Sequence, residues 1–152
     1  ARQNALPRFI AICLLVGYGW LGVGGVIGMW HGALYAGPEY AALLHAYLLG
    51  FVFSMIFGHA PIILPALTGL RVNYTPLFYA PLAVLHVSLI YRMIGNFTLD
   101  FAMRQWGGLL NVVAILLFMA VMAVTVVRSN FGPDQLRLRQ HAASADAWIA
   151  RD

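Results

Sequence analysis

Four long apolar runs constrain this chain more than any other feature. They cover residues of about 9–30, 40–67, 76–92 and 108–128. A helix that crosses a bilayer needs about 20 mostly apolar residues, and each run is close to that length or longer. Each is bounded by Arg, Pro, Gly or Asn, as helix ends should be. The runs far exceed the roughly 10-residue strand of a membrane barrel and do not alternate with polar residues, so they read as helices.

Composition points the same way. Of 152 residues, 62% are hydrophobic and 9% are charged, against about 25% charged in a soluble domain. A soluble fold of this size could not cover itself with so few charges. The single Cys13 excludes a disulfide scaffold, and the apolar content excludes intrinsic disorder. The expected fold is an all-α integral membrane four-helix bundle over residues 1–132, followed by a hydrophilic tail at 133–152. The first apolar stretch reads as a span, since it is too long for a signal peptide and lacks a cleavage site.

All nine basic residues are arginine, and they form no run. They therefore read as topology markers and not as a nucleic-acid patch. With both termini on one side, that side carries Arg2, Arg8, Arg71, Arg128, Arg137, Arg139 and Arg151. The other carries Arg92 and Arg104. The positive-inside rule then places both termini in the cytoplasm, with the bacterial inner (cytoplasmic) membrane as the expected location. Trp30, Tyr35, Tyr40, Tyr91 and Trp106 would form the outer aromatic belt. Phe9, Tyr74, Phe78, Tyr79 and Phe131 would form the inner one. The half-polar stretch 94–106 is expected to lie along the outer interface. In the tail, Pro133 and Asp134 suit a helix start.

Small residues mark where helices approach closely in lipid. Gly24, Gly28 and Gly32 recur at four-residue spacing, as do Ala46, Gly50, Ser54 and Gly58. Packing within the chain is the default expectation for both stripes, with a homodimer or other membrane subunits as the alternative. Pro61 and Pro65 each remove a backbone donor and should bend or loosen the end of the second span.

Four histidines fall within or beside the spans: His31, His45, His59 and His86. An ionisable group inside a span is a functional candidate, and neutral imidazole is the commonest nitrogen ligand of haem iron. A buried histidine can equally do no more than bond a neighbouring helix. Counted at 1.5 Å per residue, His45 and His86 lie roughly 6–12 Å from the outer boundary, with His31 near the same level. They are a plausible axial pair for haem iron. His59 lies roughly 21 Å further along the helix from His45, and 100° steps would bring the two rings within about 40° of one face.

The run Leu44, His45, Ala46, Tyr47, Leu48, Leu49, Gly50, Phe51, with its exit through Pro61 and then Pro65, Ala66, Leu67, Thr68, Gly69, has a family look. It resembles the second helix of haem-copper oxidase subunit I, and more closely the NnrS-type haem- and copper-containing membrane proteins. The resemblance implies haem ligation by His45. The His-Pro-Glu and paired-His copper motifs of the oxidases are absent from the chain, so oxygen or nitric oxide reduction by this chain alone is not implied.

No acidic residue lies well inside a span, which speaks against a proton pump or ion-coupled transporter. No nucleophile–base set or phosphate loop is present. The expectation is a membrane redox subunit, not catalytic alone, within a respiratory or photosynthetic oxidoreductase complex. It would hold a b-type haem between His45 and His86, with His59 and His31 as further cofactor-binding candidates. Copper or a chlorophyll-type pigment is the alternative cofactor. The alternative function is a cofactor-free accessory or scaffold subunit whose histidines only form hydrogen bonds.

Overall fold

The structure, a computed structural model, describes residues 5–32 and 35–132. The expected tail at 133–152 lies outside the described residues. Among those described, every regular element is helical. Four helices run Ala5–His31, Pro38–Thr68, Pro76–Phe97 and Phe101–Phe131. All four are long and apolar enough to cross a bilayer. They coincide with the four apolar runs, each lengthened at one or both ends.

One phenylalanine from each helix meets at the end of the bundle where the first helix begins. Phe9, Phe57, Phe78 and Phe118 are at most 3% exposed. Phe57 and Phe118 stack with ring centroids 4.0 Å apart and planes within 7°, and Phe9 and Phe78 lie 5.8 Å apart. Phe9 and Phe78 therefore belong to the core and not to an interfacial belt. Their ring area is worth more against other rings than at a boundary, and the short 3-10 turn Pro76–Phe78 aims Phe78 inward. Trp30 and Tyr35 do face outward, at 85% and 87% exposed.

The first and second helices pack antiparallel through small residues. A Cβ built on Gly17 would lie 3.2 Å from the Ser54 side chain, one on Gly24 3.7 Å from Ala46, and one on Gly58 3.0 Å from Cys13. Of the first stripe read from the sequence, Gly24 meets Ala46 of the second and Gly28 faces Leu43, while Ser54 and Gly58 of the second stripe meet Gly17 and Cys13, which lie outside the first. Gly32 is the exception: it leaves the first helix with φ +68° and touches nothing.

The second helix is not uniform. It is α-helical over Pro38–His45, π-helical over Ala46–Val52, and α-helical again over Phe53–Thr68. Pro61 and Pro65 do not end it. It runs on to Thr68 and closes on the left-handed Gly69, whose N–H donates to the Pro65 carbonyl at 2.9 Å.

The stretch 94–106 also departs from expectation. The third helix continues to Phe97, and the fourth begins at Phe101 behind an Asp100 cap that accepts from the Met103 N–H at 3.0 Å. The residues between form the tip of a tight hairpin. Its polar-apolar pattern arises from packing. A Cβ on buried Gly95 would lie 2.7 Å from Met103 Cβ, and one on buried Gly107 2.6 Å from Arg92 Cβ. Only glycine permits backbones this close.

Candidate functional site

Gly50 sits in the π-helical segment and faces the first helix. Any Cβ there would overlap the indole of Trp20. The missing side chain lets Trp20 reach past the second helix to the third. Its Nε1–H donates to Nδ1 of His86 at 3.0 Å, and the two ring planes lie within 11° of each other. On the opposite edge of the imidazole, Nε2 lies 3.4 Å from Ser54 Oγ. The Ser54 hydroxyl in turn donates to the Gly50 carbonyl.

These contacts fix the proton positions. An indole nitrogen only donates, so Nδ1 of His86 carries a lone pair. The neutral ring then bears its proton on Nε2, which donates to Ser54 Oγ. The Ser54 proton is already committed to Gly50. The result is a directed chain from indole to imidazole to hydroxyl to carbonyl, joining three helices. Ser54 is fully buried, so little water competes for these groups. Both nitrogens of His86 are engaged.

The other histidines are arranged differently. His45 Nδ1 lies 2.6 Å from the Ala41 carbonyl, His59 Nδ1 2.8 Å from that of Met55, and His31 Nδ1 3.1 Å from that of Ile27. A carbonyl can only accept, so each Nδ1 carries a proton, and in the neutral ring each Nε2 then keeps its lone pair. Metal-binding histidines commonly adopt this state, with the distal N–H held by a carbonyl.

The four histidines are not brought together as one site. His45 belongs to the segment that packs against the third helix. His59 lines an apolar groove of about 380 Å³ between the second and fourth helices, beside Phe57, Phe118, Met119 and Met122. The π segment Ala46–Val52 lies between His45 and His59, and its wider turn advances each residue by less than the uniform 100° step assumed for a shared face. Among the described residues, no group of three or more His, Cys, Asp or Glu is placed to hold a metal ion.

A second buried polar contact joins the third and fourth helices. Ser88 donates to Asn111 Oδ1 at 2.6 Å, and both residues are at most 3% exposed. The sequence presents Ser54, Ser88 and Asn111 as ordinary helix-bonding groups, and all three bridge helices directly. Trp20 carries no motif. Its one signal is an indole N–H in mid-run, which needs an acceptor when buried.

Residues 1–127 match the model of the family described as Domain of unknown function (DUF8744), and the chain belongs to that family. No curated protein and no solved structure matches it.

Proposed function

We propose that this is an integral membrane protein whose four helices cross the bilayer, and that it serves as a cofactor-free accessory subunit of a membrane assembly. The outward faces support the membrane reading. Leu15, Met29, Trp30 and Leu67 are each at least 74% exposed, a distribution suited to lipid and to other membrane helices. Arg92 and Arg104 lie at the end of the bundle away from Arg8, Arg71 and Arg128, which supports cytoplasmic termini.

The single observation that carries the accessory role is the engagement of His86 on both edges. An axial ligand needs a free lone pair, and that of His86 Nδ1 is taken by Trp20. Its chemistry here is mechanical, holding three helices in register. Two measurements test this. Purified protein in mild detergent should show no Soret band and no other visible absorption of a haem, and should migrate within a larger complex. A Soret band, or a lone monomer, would contradict the proposal.

One observation favours the redox reading as second choice. His45 and His59 both present an Nε2 lone pair with the Nδ1 proton held by a carbonyl. In that reading His45 remains the haem ligand implied by the resemblance, and His86 shapes the bundle around it. A Soret band abolished by His45→Ala would support it over the accessory role.

A further inference from the structure

The hairpin tip between the third and fourth helices holds two positive charges that the accessory role does not use. Arg92 Nη1 donates to the backbone carbonyl of Arg104 at 2.7 Å. Gly107 and Gly108 make room for the Arg92 side chain, because a Cβ on Gly108 would fall on its guanidinium. The Nε atoms of both arginines are enclosed with no acceptor. So is Nδ2 of Asn96, a residue 2% exposed and one turn beyond Arg92.

No ion pair joins a carboxylate to either arginine among the described residues. The acidic residues described are Glu39 and Asp100, and Asp100 is committed to capping the fourth helix. Arg92 reaches the Arg104 backbone, so two positive charges share one hairpin tip, an arrangement that an added anion would stabilise. From Gly108 a groove of about 340 Å³ runs along the fourth helix past Trp106, Leu109 and Val112. Trp106, Leu109 and Val112 give it an apolar wall, Gln105 adds an amide, and Gly108 at its edge adjoins the Arg92 guanidinium.

We infer that the tip binds a phosphate group, and that its source is an anionic phospholipid whose acyl chain follows this groove. Guanidinium forks match phosphate oxygens in a bidentate geometry. The Arg104 guanidinium lies 5.9 Å from the exposed Phe101 ring, and exposed Trp106 follows two residues on, a residue type that favours the headgroup level. The inference rests on the membrane part of the proposed function and is independent of the role of His86.

The test is native mass spectrometry of the full chain with phosphatidylglycerol, phosphatidylcholine or inorganic phosphate added. The wild type should retain phosphatidylglycerol over phosphatidylcholine, and Arg92→Gln with Arg104→Gln should weaken that retention about tenfold or more. Arg71→Gln, at the other end, should not change it. Arg92→Lys with Arg104→Lys should keep part of it, which separates lost charge from lost fold. Equal retention of both lipids, or no effect of the double Gln variant, would overturn the site. Displacement of the lipid by inorganic phosphate would assign a free-anion site instead and overturn the lipid source. Extraction of the protein from membranes by alkaline carbonate would overturn the membrane reading itself.

Discussion

The indole N–H of Trp20 meets Nδ1 of His86 at 3.0 Å, joining the first helix to the third across 66 residues of sequence. The second helix lies between them, and its Gly50 provides the gap through which the indole passes. Its Ser54 closes the other edge of the imidazole. One histidine thereby reports on the placement of three helices, and most of the expectations below concern that placement.

Removing the donor should weaken the bundle measurably. Trp20→Phe leaves Nδ1 of His86 without a partner, at a cost of about 0.6–1.7 kcal/mol on the scale of hydrogen bonds between membrane helices. His86→Ala should cost more, about 2 kcal/mol, because it orphans the indole and leaves a cavity. In the double variant the losses should not add, with a coupling of about 1 kcal/mol. Denaturant unfolding in micelles, followed by circular dichroism, provides the three values. Strict additivity would mean that the contact does not form.

Glycines should sort by what they face. Gly50→Ala pushes a methyl group into the Trp20 ring and should cost about 1–3 kcal/mol, as overpacking does. Gly19, Gly22 and Gly25 meet nothing within 4 Å. Alanine at any of them should be neutral or stabilise by up to about 1 kcal/mol through helix propensity. Thermal denaturation of the four variants checks the contrast, and equal effects would contradict the register of the first two helices.

That register has a covalent test. A Cβ on residue 58 would lie 3.0 Å from Cys13 Cβ, slightly inside the distance usual for a disulfide. A separation of the two helices by about 0.5–1 Å would let Gly58→Cys join the native Cys13 on oxidation. The product should run faster on a non-reducing gel and revert with thiol. A cysteine at Gly25, on the outward face, should give no such band.

The Ser88–Asn111 contact should show the asymmetry of buried polar pairs. Ser88→Ala strands the Asn111 amide, whose Nδ2 already lacks a partner, and should cost about 1–3 kcal/mol. Ser88→Ala with Asn111→Leu removes both polar groups and should recover much of that loss. Unfolding midpoints of the two variants decide it. A double variant worse than the single would mean that the hydrogen bond is not what the site contributes.

The four helices were legible because apolar length alone sets them, and the small-residue stripes were legible because close approach demands glycine. Three features were not. The π segment at Ala46–Val52 changes the phase of the second helix without any residue that announces it. The hairpin at Leu99 and Asp100 was hidden because residues such as Arg92 and Arg104, polar in sequence, lie along the joint between two helices. Trp20 is not legible as a site residue because an aromatic in an apolar run looks like any other packing residue. Its acceptor is set by tertiary placement, which no local pattern encodes. The histidines were visible from the start, but their tautomers, which decide what each can do, appear only once their partners are in view.

The most direct test of the central claim is a long-range nitrogen–proton correlation spectrum of protein labelled with 15N-histidine. His86 should show an unprotonated Nδ1 and a protonated Nε2, with Nδ1 moving in Trp20→Phe and Nε2 in Ser54→Ala. His45 and His59 should show the reverse tautomer. A protonated Nδ1 at His86, or a metal-shifted nitrogen together with a Soret band lost in His86→Ala, would contradict it.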